Sequence, residues 1–209
     1  MEGFSTERLA GFSSETPRIF LAVPFSDAFK AKAQKHQDEL KRIFLGVHWI
    51  PIENLHLTVK FFGETKLAKI EKILTVLNEI IATQPRMEIL FNDYGFFGSP
   101  RSPRVLFLKG ESGELLSLAE KVLKKFPDER YRPFTAHLTL GKFLKRQTAE
   151  QIAHNETLIR KWQESSSSAI GLGQVNISTH ISELVLMETI WVGRAVEYKI
   201  RHRFSLASR

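Results

Sequence analysis

Two short segments of one design, His56-Leu57-Thr58-Val59 and His137-Leu138-Thr139-Leu140, constrain this chain more than any other feature. On a strand, successive side chains point to opposite faces, so each segment presents an imidazole and a hydroxyl together and turns its aliphatic residues the other way. A single strand histidine is most often a packed or solvated one. Here the pattern occurs twice, each time after a strand and a helix, so the chain reads as one unit used in duplicate. Duplicated strand-helix-strand units with apolar backs must each bury a sheet face, which predicts an α+β protein of two pseudo-symmetric lobes.

The flanking periodicities fill in these units. Residues 18–23 (RIFLAV) predict a buried strand, and Ser26 or Asp27 caps a helix reaching about Leu45. Residues 55–62 predict a strand stopped by Gly63, and 67–81 carry apolar residues at helical spacing. Strands are expected at 87–91 and 104–109 around a Gly/Pro-rich loop, 95–103, followed by a helix over 114–126. A strand over 136–143, a helix over 148–162 capped by Thr148, and a serine loop at 165–168 come next. Three β segments close the chain, 172–177, 181–191 and 195–206, the last two joined at 192–194. Residues 1–16 mix Ser, Thr, Gly and charge without apolar period and predict a poorly ordered leader before a single bilobal domain, 17–209.

Composition removes several chemistries. The 209 residues contain no cysteine, which excludes disulfides, thiolate nucleophiles and cysteine-bearing metal sites. The glycines build neither a dinucleotide fingerprint nor a phosphate-binding Walker loop. His36, His48, His154, His180 and His202 lack metal-ligand spacing, so no metal and no cofactor are expected. No apolar run approaches the roughly 20 residues of a membrane span, and no secretory leader is evident, so a cytoplasmic monomer without membrane attachment is expected. Thirty Lys+Arg against 23 Asp+Glu give a net charge of +7, which favours a polyanion such as RNA. Arg101, Arg104 and Lys109 read either as part of a nucleic-acid channel or as a solvated loop.

Two imidazoles suit phosphodiester cleavage because that reaction removes one proton from the nucleophile and delivers another to the departing oxygen. With a reference pKa of about 6.5, histidine serves as base or acid near neutrality. The threonine hydroxyls can donate to non-bridging phosphoryl oxygens as charge builds on them.

The paired motifs resemble those of the two-histidine phosphoesterase superfamily, in its RNA 2′,3′-cyclic phosphodiesterase or 2′-5′ RNA ligase branch. The similarity extends through Arg18-Ile19-Phe20-Leu21-Ala22-Val23-Pro24, Trp49-Ile50-Pro51, Asn54-Leu55-His56 and Phe61-Phe62-Gly63. It also takes in Pro103-Arg104-Val105-Leu106, Arg132-Pro133-Phe134 and Glu183-Leu184-Val185-Leu186-Met187-Glu188. The resemblance implies two antiparallel sheets flanking a central cleft and metal-independent hydrolysis of RNA 2′,3′-cyclic phosphate ends to 2′-phosphates. It assigns His56 as proton donor, His137 as proton acceptor, and Thr58 and Thr139 as phosphoryl clamps.

Two departures bear on substrate binding. Ala136 stands where the family usually has proline, and Lys142 where it often has arginine, which loses a bidentate phosphate fork. Phe61 occupies a position that stacks on a base in the family, although strict alternation buries it beside Val59. Alternation places Lys60 on the His56 face as a further phosphate ligand. The motifs read the phosphate and leave its surroundings open. The same chemistry on 2′-5′-linked oligonucleotides or an ADP-ribose cyclic phosphate, reversible 2′-5′ ligation, and non-catalytic RNA-end binding are the alternatives.

Overall fold

The computed structural model of the chain describes residues 11–127, 133–193 and 195–208. Nine strands form two antiparallel sheets among these residues. The elements run β1 (Arg18–Pro24), α1 (Asp27–Lys41), β2 (Val47–Trp49), β3 (His56–Glu64), α2 (Leu67–Ile81), β4 (Met87–Ser99) and β5 (Ser102–Glu111). They continue with α3 (Gly113–Lys125), β6 (His137–Phe143), α4 (Ala149–Glu164), β7 (Ile177–Ile181), β8 (Glu183–Val192) and β9 (Ala195–Ser205). Sheet order is β3-β1-β8-β9 in one lobe and β2-β6-β5-β4-β7 in the other. With β2 set aside, the two orders superimpose, and the two histidine strands take equivalent places.

One apolar cluster unites both lobes. It joins Ile19, Leu21 and Val23 of β1, Ile70, Ile73 and Leu77 of α2, Leu115, Leu118 and Val122 of α3, and Leu138 and Leu140 of β6. Helix α2 forms as its periodicity predicts, with Ile70, Ile73, Leu74, Leu77 and Ile81 buried on one stripe. Ser26 caps α1 by accepting from the Phe29 amide, and Thr148 and Gln151 close a reciprocal capping box on α4. The opposite face of the first sheet carries a separate small cluster of Phe20, Ala22, Val185 and Met187, with Tyr198 against it.

Three expectations change. The expected loop 95–103 is mostly strand: β4 and β5 run on to a tight turn after Ser99. Gly98, at φ 111, takes a conformation L side chains avoid, and a Cβ there would lie 2.3 Å from the Ser102 carbonyl oxygen. Glycine here thus shapes a hairpin end. Residues 172–176 make no ladder, although Leu172 and Val175 are buried. The Gly173 amide instead donates to the Glu39 carboxylate at 3.0 Å, and the strand starts at Ile177. Strand β3 continues through Gly63 to Glu64, with a register shift at that end.

Of the expected leader, residues 1–10 lie outside the described residues. Ser13 meets the buried Glu188 carboxylate through its amide, at 3.1 Å, and its hydroxyl, and Arg201 Nε reaches the same carboxylate at 2.6 Å. Arg132 and Arg194 also lie outside the described residues. No helix among those described is long and apolar enough to cross a membrane.

Candidate active site

The two histidine strands are built alike down to an irregularity. In the pairing of β1 with β3, Leu21 faces Lys60 and Ala22 faces Thr58, which leaves Val59 as an extra residue. In the pairing of β5 with β6, Leu106 faces Gly141 and Phe107 faces Thr139, leaving Leu140 extra. Each bulge falls three residues after its histidine. A bulge inserts one residue and resets which face the following side chains take. The residues five after each histidine, Phe61 and Lys142, therefore return to the histidine face.

The aromatic contacts agree. The Phe20 ring lies 4.9 Å from His56 and 5.6 Å from Phe61, so one ring supports both, and Phe61 is 60% exposed. Strict alternation assigns Phe61 to the core and Lys60 to the histidine face. The structure reverses both placements: Lys60 is buried, paired with the core residue Leu21.

Each imidazole is oriented by the same device. His56 Nδ1 lies 2.7 Å from the Asn54 carbonyl oxygen, and His137 Nδ1 lies 2.7 Å from that of Thr135. A carbonyl only accepts, so Nδ1 carries the proton and Nε2 holds the free lone pair of the neutral ring. Thr58 Oγ1 sits 3.1 Å from His56 Nε2 and donates to it. Rings pack around both histidines: Phe20 and the edge of Tyr198 at 4.9 Å from His56, Phe97 at 4.9 Å and Phe107 at 5.3 Å from His137. Phe107 reaches its place because residue 95 is glycine: a Cβ there would lie 2.3 Å from the Phe107 ring.

Burial depresses both imidazoles, taking His56 to about 4, against the opposing pull of the carbonyl bonds. Positive charge on Lys142 and on His137 depresses His56 further, which ties the second lobe electrostatically to the first. The lobes are also joined mechanically. Buried Gln37 of α1 donates to the Ile50 and Leu140 carbonyls, both at 2.8 Å, and the Ile50 amide donates to Leu140 at 2.9 Å. Leu140 is the bulge residue of β6, and Ile50 opens the segment leading to His56.

His56 lines a cavity of about 560 Å³ with Lys30, Asn54, Tyr198 and Arg203. Tyr198, Gln37, Phe97 and Phe107 are not singled out in the sequence, whereas Phe20 and Asn54 stand in segments that carry the resemblance. Gln37 leaves a trace in the sequence as an amide on the apolar stripe of α1. Of the remaining histidines, His36 bonds Tyr94 and His154 bonds the Ile43 carbonyl, both structural, whereas His180 lines the His56 cavity. Arg101 pairs with Glu156 and Lys109 with Glu111. Among the described residues, no three His, Asp or Glu side chains converge as a metal-holding set.

Two antiparallel sheets, each offering a His-x-Thr face propped by aromatic rings, define the two-histidine phosphoesterase class. Sequence comparison agrees: the model of the 2′-5′ RNA ligase superfamily matches residues 29–170, and the chain belongs to that family. The chain is 37% identical over 153 residues to an RNA 2′,3′-cyclic phosphodiesterase of Archaeoglobus fulgidus, covering 71% of this chain and 82% of that protein. It is 29% identical over 164 residues to one of Methanothermobacter thermautotrophicus, covering 77% and 88%. In fold it is similar to a crystal structure of a Thermus thermophilus protein, with TM-score 0.70 and 20% identity over 90% of this chain and 97% of that one. Escherichia coli LigT complexed with ATP gives TM-score 0.65 and 21% identity over 92% and 99%.

Proposed function

We propose that the chain hydrolyses RNA 2′,3′-cyclic phosphate ends to 2′-phosphates through metal-independent acid-base catalysis by His56 and His137. The observation that carries this reading is the repeated geometry: two imidazoles whose Nδ1 is held by a backbone carbonyl, which turns each Nε2 away from that carbonyl, on equivalent strands of two joined lobes. In the reaction, His137 Nε2 takes a proton from water as the water oxygen attacks phosphorus. The bond from phosphorus to O3′ breaks, and His56 Nε2 delivers its proton to that oxygen. The 2′ ester survives. Once His56 is protonated its Nε2 no longer accepts from Thr58, so Thr58, like Thr139, can donate its hydroxyl to a non-bridging oxygen, where a bond made in the transition state lowers the barrier.

Lys142 supplies charge for the phosphate, and Phe61 offers an exposed ring on the His56 face for the terminal base. Lys60, buried and paired with Leu21 on the core side, is given no role in this reading. The relatives named above act on RNA cyclic ends, and the +7 charge suits that partner.

The test is turnover of a nucleoside 2′,3′-cyclic phosphate with product analysis. Replacing His56 or His137 with alanine should lower kcat by about 100- to 10,000-fold, as loss of a general acid or base does. A 2′-phosphate product and full activity in the presence of a chelator are expected. Wild-type rates in both variants, or a 3′-phosphate product, would overturn the assignment.

A further inference from the structure

Near the tip of the β8-β9 hairpin, Trp191 is 67% exposed, more than any other large apolar side chain among the described residues. An indole so placed gains nothing from the core, and exposed aromatic surface beside a polar site commonly marks a contact for a ligand. It lines a second cavity of about 650 Å³ together with His48, Pro51, Asn54, Lys142 and Tyr198.

Three of these walls belong to the site described above. The Lys142 charge is felt at His56, the Tyr198 ring lies edge-on to His56 at 4.9 Å, and the Asn54 carbonyl holds His56 Nδ1. Neither histidine of the pair lines this second cavity, so it stands one step away from the phosphorus. Phe61 lies elsewhere, against Phe20. Its size falls within the ordinary range for small-ligand sites, roughly 300–1,000 Å³.

We propose that Trp191 is a stacking platform for the base of the penultimate nucleotide, so that the protein prefers an oligonucleotide end to a single cyclic nucleotide. The proposal rests on the function proposed above. Stacking is insensitive to base identity because every base has a π-face, and Lys142, whose charge acts on His56, lies on the wall this cavity shares with the phosphate site.

The experiment compares kcat/KM for adenosine 2′,3′-cyclic phosphate with that for a diadenylate ending in the same cyclic phosphate. The wild type should favour the dinucleotide by about tenfold, the scale of one base stacked on an aromatic ring. In W191A the preference should vanish through a higher KM for the dinucleotide, with the mononucleotide unaffected, and W191F should retain most of it. Equal efficiency on the two substrates in the wild type, or a preference that survives in W191A, overturns the proposal.

Failure of the wild type to cleave either substrate counts against the functional reading, and binding then decides the subsite. Titration with the diadenylate 2′-phosphate should quench indole fluorescence where adenosine 2′-phosphate does not. That difference should be absent from W191F, which keeps Trp49 and Trp162. A quench common to both ligands, or one that persists in W191F, also overturns the proposal.

Discussion

Each imidazole of the pair carries opposing influences on its proton. Burial works against the charged form, and the carbonyl accepting from Nδ1 works for it, with burial ahead at both rings. In the free protein, His56 is therefore neutral at pH 7 and takes up a proton at about 4 unless an anion arrives. The pH profile of kcat/KM, which reports the free protein, should be a bell with its maximum below pH 6.5, the ordinary histidine value. A bound phosphate favours the imidazolium, so the kcat profile should lie to the alkaline side of it. A kcat/KM maximum above pH 7 would contradict this. Lys142 holds His56 down by its charge, so K142A should move the His56 limb upward and raise KM, by about 10-fold for one lost charge-assisted contact. K142R should lower KM instead, by adding a fork. The histidines and threonines are legible in the sequence because their pattern is short and repeated. Phe61 and Lys60 are misread by strict alternation because a bulge has no compositional mark at Val59. Trp191 and Tyr198 reach the cavity wall beside Asn54 and Lys142 only because their local hairpin joins the sheet through the long-range pairing of β8 with β1.

At the scale of elements, the repeated bulge explains how a flat pattern becomes a curved site. It gives each strand a His, a Thr and a third residue on one face, while two consecutive residues remain buried behind them. Gln37 secures the β6 bulge from outside by holding the Leu140 carbonyl. Replacing it with leucine keeps volume but leaves two buried carbonyls with fewer donors, at a cost of about 1–3 kcal/mol. Because one of these carbonyls precedes His56 and the other follows His137, Q37L should lower kcat beyond its effect on stability. Activity measured well below the variant's Tm checks this, and wild-type kcat there would reduce Gln37 to a packing residue. Helix α2 was legible because five buried residues share one stripe. The long β4-β5 hairpin was not, since Gly95 and Gly98 carry the composition of a loop while serving a close ring contact and a turn. Residues 172–176 carry strand-like apolar residues, yet the Gly173 amide goes to Glu39 and not to a neighbouring strand.

The whole molecule carries a pH-dependent cost, because folding buries one imidazole in each lobe and holds both below the ordinary histidine value. His56 binds its proton at about 4 in the folded chain against an ordinary value near 6.5, so between those values the unfolded chain binds more protons than the folded one. Stability from this source is fully present above about pH 6.5, is lost as pH falls toward 4, and changes no further below that. His137 is displaced in the same direction and adds to the loss. Carboxylates also titrate in this interval, but they do so equally in a variant lacking both imidazoles. Thermal unfolding at pH 7.5 and pH 4.5 should therefore show a larger drop in Tm for the wild type than for H56A/H137A. Inorganic phosphate should narrow the gap in the wild type alone, since an anion between the rings favours the protons that folding otherwise excludes. Parallel curves for the two proteins, with no differential effect of phosphate, would mean that the two rings do not share a desolvated cleft.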